Sequence, residues 1–155
     1  MKGLFIASAL LAGMLMGVSC DKYEDGRPAK PVRDDFNTAY PDARDVEWER
    51  QGQYWVVSFE TGPIQNGTDH EVWYDLSGAW VMSMTEVSLA DVPQSIKDYL
   101  AADPVYGKAM FEDYDAEYIE KPSGSFYRFD MCLDGREVDV DVTPDGEVAA
   151  AKYGI

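Results

Sequence analysis

The sequence repeats one pattern of apolar residues twice, and this internal similarity constrains the fold more than any other feature. An apolar stripe with the i, i+4, i+7, i+8 spacing of a helix face runs from Val32 to Tyr40. The same spacing recurs sixty residues later, from Val92 to Leu100. The chain is therefore predicted to place two helices in equivalent positions of two copies of one unit.

The segments that follow the two helices also repeat. Residues 52–59 align with residues 124–131 at an offset of 72, and Asn66-Gly67 aligns with Asp134-Gly135 at an offset of 68. Both dipeptides favour tight hairpins, because their central positions tolerate positive φ. Each copy is predicted to be a helix followed by a four-stranded antiparallel meander, which makes an α+β tandem repeat. The two copies span residues 32–88 and 89–155.

Alternation along the strands assigns their side chains to two faces of each sheet. Positions that are apolar in both copies should pack against the helices, and these are Trp55 and Tyr127, Val57 and Phe129, Phe59 and Met131, Val72 and Val140, Tyr74 and Val142, and Trp80 and Val148. The opposite face is expected to differ between the copies. It is aromatic and aliphatic in the first copy and mainly acidic in the second.

The apolar outer face of the first copy is a candidate site for a protein partner. Its predicted members are Tyr54, Val56, Trp73 and Val81, with Trp48 as a further candidate. Exposed apolar patches on a sheet commonly mark interfaces. The sequence leaves open that this face packs instead against the other copy or against the N-terminal segment.

Residues 1–19 have the features of a signal peptide: Lys2 precedes an apolar run from Leu4 to Val18, which ends in small residues. This run is shorter than the roughly 20 residues that a membrane span needs. Cys20 then follows in a context that resembles the lipobox of bacterial lipoproteins, so lipidation of Cys20 is expected, with ordinary signal cleavage as the alternative. Residues 20–31 are predicted to form a lipidated tether that holds the domain on the periplasmic or cell-surface side of a membrane.

The charge of the chain excludes two classes of partner. Thirteen Lys plus Arg stand against 29 Asp plus Glu, which gives a formal net charge of −16 at pH 7. Nucleic-acid binding and charge-driven binding to anionic lipid both need clustered cations. Membrane contact is therefore expected through the lipid anchor only, and the expected partner is an envelope or extracellular protein.

Residues that could perform catalysis are few. His70 is the single histidine, and no Gly-x-Ser-x-Gly elbow accompanies any serine. His70 is therefore expected to be a hydrogen-bonded structural residue, and no glycine pattern for a nucleotide cofactor is present. The sequence predicts a non-enzymatic protein without a cofactor.

The acidic second copy supplies weak candidates for a metal site, namely Asp139, Asp141 and Asp145. Oxygen ligands suit calcium, but Pro144 occupies the position that is glycine in a calcium loop counted from Asp139. Solvated strand and turn carboxylates are the preferred interpretation. The alternative function is binding of a small ligand, a peptide or calcium by this acidic face.

The order of these motifs resembles the PepSY-like family of bacterial exported proteins, which is also described as β-lactamase-inhibitor-like. Its most specific part is the turn from Tyr74 to Trp80 followed by the segment from Val92 to Ile96. The resemblance covers about residues 32–153. It implies a fold similar to the β-lactamase inhibitory protein, in which the sheet face opposite the helices is available to a protein partner. The expected function is accordingly a protein-binding or inhibitor-like envelope lipoprotein, although no inhibitor contact residue can be matched to this sequence.

Overall fold

The computed structural model describes residues 27–152, which contain two α-helices, one 3₁₀ turn and nine β-strands. In chain order these are α1 (Lys30–Ala39), β1 (Arg44–Gln51), β2 (Tyr54–Thr61), β3 (Thr68–Asp75), β4 (Trp80–Ser88), α2 (Gln94–Ala102), the 3₁₀ turn (Tyr106–Lys108), β5 (Met110–Phe111), β6 (Asp115–Lys121), β7 (Gly124–Leu133), β8 (Arg136–Val142) and β9 (Val148–Ala150). Within this range, neither helix is long and apolar enough to cross a bilayer.

The predicted N-terminal features fall mostly outside these residues. The signal peptide (1–19) and Cys20 lie outside the described residues, as does the tether as far as residue 26. The tether was predicted to extend to Pro31, but α1 begins at Lys30, because proline is well tolerated in the first turn of a helix. The described end of the tether is therefore Ala29.

The strands form one antiparallel sheet in the order β1-β2-β3-β4-β6-β7-β8-β9, and β5 pairs with the end of β7. Two helices and an antiparallel sheet make up the described chain, so the predicted α+β class is confirmed. The sheet is continuous because β4 pairs with β6, from Ser83–Glu120 to Ser88–Asp115. The short strand β5 was not predicted from the sequence.

Both helices pack on the same face of this sheet and cover two adjoining apolar cores. The core under α1 contains Val32, Phe36, Trp48, Trp55, Val57, Phe59, Val72 and Tyr74. The core under α2 contains Val92, Ile96, Leu100, Ala116, Phe129, Met131, Val140 and Val142. The predicted helical stripes therefore face the sheet, and the strand positions expected to point inward lie on the helix side, although Trp80 is not buried there.

Trp80 was predicted to lie in the core, but its side chain is 42% exposed. Trp80 is the cross-strand partner of the core residue Tyr74 and so lies on the helix side, but it is the first residue of β4 and is not part of the core under α1. A β-bulge follows it: Trp73 pairs with Met82 while Tyr74 pairs with Trp80, so Val81 is an extra residue between two paired positions. The bulge changes which residues of β4 face each side. Met82, rather than Val81, is therefore the cross-strand neighbour of Trp73.

The two predicted hairpins differ in their connections. Asp134 and Gly135 both have positive φ, 53° and 77°, as expected for a tight turn between β7 and β8. Between β2 and β3 the connection has six residues, 62–67, and the positive φ occurs at Gly62 rather than at Asn66-Gly67. The prediction of a tight Asn-Gly turn is wrong here, because a longer loop reverses the chain without two consecutive positive φ angles.

Phe36 provides a test of the core under α1. Its ring lies 5.0 Å from that of Phe59 and 5.4 Å from that of Trp48, and its side chain is 1% exposed. The substitution Phe36→Ala should lower the free energy of unfolding by about 3–5 kcal/mol, because it leaves a cavity at a helix–sheet contact. Urea denaturation measures this change.

The matched control is Ile64→Ala, at a loop position where the side chain is 84% exposed. It should change the free energy of unfolding by no more than about 0.5 kcal/mol. A loss below about 1 kcal/mol for Phe36→Ala would contradict the described packing of α1.

Candidate functional site

The candidate site lies on the face of the sheet opposite the two helices, here called the outer face. Val57 and Val72 belong to the core under α1, so their strand neighbours Val56 and Trp73 point to the other side. The cross-strand pairs carry the same alternation through β4, β6 and β7. The side chains of five neighbouring strands can therefore be assigned to this one surface.

A band of apolar side chains, here called the apolar stripe, crosses the outer face from β2 to β7. Its members are Tyr54, Val56, Trp73, Met82, Met84, Ile119 and Phe126. The cross-strand pairs that connect them are Val56–Trp73, Trp73–Met82, Met84–Ile119 and Ile119–Phe126. The stripe is continuous across the junction of the two halves, because Met82 and Met84 lie on the same face of β4.

The stripe has buried members between half-buried ones. Val56 and Ile119 are each 2% exposed, whereas Trp73 and Phe126 are half-buried. Val56 lies beside Trp73 in the sheet and two residues from Tyr54, whose ring is 5.7 Å from the Trp73 indole. Val56 therefore supports the two rings, and the accessible apolar surface belongs to the aromatic members.

The orientation of Trp73 is fixed by its polar edge. The indole Nε1–H donates a hydrogen bond to Oε1 of Glu71, which lies two residues away on the same face of β3. This contact satisfies the one donor of the indole ring. The remaining ring atoms are apolar and are well suited to contact with another protein.

The structure brings together three of the four residues that the sequence proposed for partner binding. Tyr54, Val56 and Trp73 are neighbours, whereas Val81 lies at the bulge and Met82 takes the place beside Trp73. Trp48, the further candidate, is 5% exposed and belongs to the core under α1, because its cross-strand partner is the inward residue Val57.

Sequence reasoning missed the second half of the stripe. Ile119 and Phe126 were not proposed, because the outer face of the second copy was interpreted as acidic. Their signal was present in the sequence as alternation: Ile119 is flanked by Tyr118 and Glu120, and Phe126 by Ser125 and Tyr127. Only the β4–β6 pairing shows that these two residues continue the surface of the first half.

An acidic depression of about 440 Å³ adjoins one side of the apolar stripe. The carboxylates that line it are Asp45, Glu47, Glu60, Asp69, Glu71, Glu86 and Glu117. Glu71 and the stripe member Met84 contribute to its wall. The stripe and the depression therefore form a single surface with an apolar part and an anionic part.

Two of these carboxylates have raised pKa values. The pKa of Glu117 is raised by burial and by repulsion from Asp130, with Arg128 opposing part of the effect. The pKa of Glu86 is raised by burial and by the nearby charge of Asp115. The ionised depression is therefore less favourable for the folded chain than dispersed carboxylates would be.

The three weak metal candidates do not converge on one point. Asp141 accepts two hydrogen bonds from Arg128, at 2.8 Å and 3.1 Å. Asp139 faces Asp130 across the strands, and its pKa is raised by burial and by that neighbour. Asp145 accepts a hydrogen bond from Thr143 Oγ1 in the turn before β9. Across residues 27–152, no three His, Cys, Asp or Glu side chains gather as metal ligands.

His70 is held on the helix side of β3, as expected for a structural histidine. Its ring stacks on Phe59 with centroids 5.0 Å apart. Its two ring nitrogens lie 2.8 Å from Thr61 Oγ1 and 3.0 Å from Thr85 Oγ1. Burial lowers the pKa of His70, while the charge of Asp69 acts in the opposite direction. The prediction of a hydrogen-bonded histidine is confirmed.

Comparison with known proteins gives a family and a fold. A family model described as "Putative beta-lactamase-inhibitor-like, PepSY-like" matches residues 53–149. A BLIP-like protein from Bacteroides fragilis is similar to the chain with 22% identity and a TM-score of 0.69, over 85% of this chain and 92% of that one. A protein from Bacteroides eggerthii described as "putative periplasmic" has 22% identity and a TM-score of 0.67, over 81% and 89%. No curated protein matches the chain.

Glu117 provides a test of the strain in the acidic depression. Its pKa is higher in the folded chain than the ordinary value of 4.5, so the folded state binds this proton more tightly than the unfolded state does. Ionisation at neutral pH therefore reduces stability. The substitution Glu117→Gln should raise the free energy of unfolding at pH 7.5, and the gain should shrink toward pH 4, where the carboxyl is protonated. Urea denaturation at the two pH values measures it.

Asp42→Asn is the control, because Asp42 lies in the exposed turn between α1 and β1. It removes the same charge from the chain without touching the depression. A lower stability of Glu117→Gln than of the wild type at pH 7.5 would show that the carboxylate is stabilising and would contradict the prediction.

Proposed function

Because the chain belongs to the PepSY-like, β-lactamase-inhibitor-like family, we propose that it is a non-enzymatic module of the bacterial cell envelope that binds a protein partner. The partner would dock on the outer face. The observation that carries this proposal is the apolar stripe, which continues across five strands of a sheet whose other face holds both helices.

The shape of the stripe favours a protein over a small molecule. Small ligands are generally enclosed in concave cavities, whereas protein interfaces bury broad surfaces of about 800 Å² on each partner. The stripe extends along the sheet instead of closing into a cavity. Aromatic anchors at its accessible positions, Tyr54 and Trp73, are typical of residues that contribute most to a protein interface.

A non-enzymatic role is supported by the engagement of the titratable groups. Both nitrogens of His70 lie within hydrogen-bond distance of threonine hydroxyls. No serine or cysteine is placed next to this ring within its described contacts. The family description, inhibitor-like rather than catalytic, is consistent with binding as the activity.

The proposal also includes a tandem repeat, with copies at residues 32–88 and 89–155. Equivalent core positions support it: Val57 and Phe129 are both fully buried, as are Val72 and Val140. Because the stripe takes members from both copies, a repeat of this kind would provide a broad docking surface from two small units.

The envelope location rests on the N-terminal sequence. We propose that residues 1–19 are removed as a signal peptide and that Cys20 is lipidated, which would hold the outer face near a membrane. The description of the Bacteroides eggerthii relative as "putative periplasmic" is consistent with export.

Replacing Trp73 tests the docking surface. Trp73→Ala should reduce capture of the partner from a detergent-solubilised envelope at least tenfold, because it removes an accessible aromatic anchor. The thermal midpoint should change little, since Trp73 is only half-buried. Quantitative mass spectrometry of proteins crosslinked to the purified chain measures the capture.

Trp80→Ala is the matched control for this experiment. Trp80 is 42% exposed and pairs with the core residue Tyr74, so it lies on the face opposite the stripe. The substitution therefore removes a similar side chain without changing the stripe. Capture that is equal for wild type and Trp73→Ala would exclude docking on the stripe. Docking on the stripe would also be excluded if Trp80→Ala reduced capture as much as Trp73→Ala does.

Replacing Cys20 tests the anchor. The chain expressed in a lipoprotein-exporting bacterium should incorporate labelled palmitate and partition into the detergent phase of a phase-separating detergent. The Cys20→Ser variant should do neither, whereas Cys132→Ser should behave like wild type, because Cys132 lies within the folded domain on β7. Label on Cys20→Ser, or none on the wild type, would contradict lipidation.

A further inference from the structure

We infer that the partner presents lysine or arginine side chains beside the apolar residue that docks on the stripe. This inference rests on the proposed function and specifies the chemistry of the partner. It follows from the distribution of charge around the apolar stripe on the outer face.

The carboxylates of the acidic depression form a row directly beside the stripe. Met84 and Ile119 are cross-strand partners, and the next pair along the same two strands and on the same face is Glu86–Glu117. The two pairs are separated by two residues on each strand, which is about 7 Å. An apolar group on Met84 and Ile119 would therefore bring its close neighbours against the two carboxylates.

The cations near this surface are already paired. Arg44 forms an ion pair at 3.3 Å with Glu60 of the depression, and Arg128, the cross-strand neighbour of Glu117, forms a bidentate pair with Asp141. Lys121 and Arg128 lie over the ring of Phe126, at 5.9 Å and 5.6 Å from its centroid. Among residues 27–152, no ion pair reaches Asp69 or Glu86. The carboxylates of the depression therefore outnumber the cations beside them, and Arg128 offsets only part of the rise in the pKa of Glu117.

A docked partner would have to compensate these carboxylates. Covering ionised Glu86 and Glu117 with a neutral or acidic surface removes water from two carboxylates that burial and neighbouring acids already disfavour in the ionised form, which is costly. A lysine or arginine at that position gives an attractive pair instead, and electrostatic complementarity of this kind determines which partners are tolerated. The raised pKa values of Glu86 and Glu117 would fall when such a cation arrives.

The spacing defines the partner further. The cation must lie about 7 Å from the apolar anchor, which is the separation of residues i and i+2 on an extended segment. Adjacent positions on one helix face, i and i+4, are separated by a similar distance of about 6 Å. The net charge of −16 would also draw a basic protein toward this chain before contact.

The test uses three fluorescent peptides of equal length that share an apolar centre of leucine and tryptophan. Their alternating flanking positions are lysine in the first peptide, serine in the second and glutamate in the third. Fluorescence anisotropy is measured during titration with the purified chain at 50 mM and 300 mM NaCl. The lysine peptide should bind at least tenfold more tightly than the serine peptide, and this advantage should shrink at the higher salt concentration.

Two sets of variants separate the contribution of the carboxylates to peptide binding from that of the apolar stripe. The double variant Glu86→Gln/Glu117→Gln should reduce binding of the lysine peptide to the level of the serine peptide, while binding of the serine peptide stays unchanged. The control Asp42→Asn/Asp98→Asn removes two exposed charges far from the stripe and should leave the preference for lysine intact. Trp73→Ala should weaken both peptides. Thermal melting of each variant confirms that it is folded.

The outcomes distinguish this inference from the proposed function. If the lysine and serine peptides bind equally and both lose affinity with Trp73→Ala, docking on the stripe stands and the basic partner is excluded. If the lysine peptide binds Trp73→Ala as well as wild type, or is displaced by 1 mM calcium or spermidine, the acidic residues bind cations alone and the inference is wrong. If no peptide shows saturable binding to the wild type, both the inference and a docking role for the stripe are contradicted.

Discussion

Six residue pairs along β4 and β6, from Ser83–Glu120 to Ser88–Asp115, join the two halves of the described chain into one sheet. Without this pairing, β4 and β6 would each be an exposed edge strand, with unpaired backbone groups open to other chains. The pairing also determines the outer face, because it places Met84 beside Ile119 and so connects the aromatic members on β2 and β3 with Phe126 on β7. The apolar stripe is therefore a property of the assembled sheet and not of either half.

The two faces of the sheet differ in packing and in charge. The helix side contains closely packed apolar side chains, such as Val57, Phe129 and Val140, each 0% exposed, and it accounts for the stability of the domain. The outer face combines partly accessible rings with carboxylates whose pKa values are raised by burial and mutual repulsion. A surface of this kind reduces the stability of the free chain, and a docked partner that compensated the carboxylates would remove part of that cost. The strain on the acidic side and the accessibility of the stripe are thus consistent with one explanation, namely binding.

Local features of this fold could be predicted from the sequence, and features that depend on pairing could not. The helical spacing of Val32 and Phe36 and the alternation of β2 and β7 are determined by nearby residues, so both helices, most of the core and the role of His70 follow from the sequence. The bulge at Val81 depends on how β4 fits against β3, and it put Met82 rather than Val81 beside Trp73. Trp48 was assigned to the wrong face, because the register of β1 is set by its partner strand β2. Alternation indicates the face of Ile119 and Phe126 within their own strands, but the pairing of β4 with β6, which connects them to the first half of the stripe, has no local signal in the chain.

The middle of the apolar stripe is made of methionine, with aromatic rings at both ends. Met82 and Met84 lie where the two halves meet, and methionine has an unbranched, polarisable side chain that changes rotamer at little energetic cost. The centre of the surface is therefore deformable while its ends are rigid. A related chain could acquire a new partner by exchanging the rings near Tyr54 or Phe126, since the thioether side chains between them can repack around anchors of different shape. Oxidation of the same two sulfurs would make that centre polar, so this surface is also chemically sensitive to oxidants.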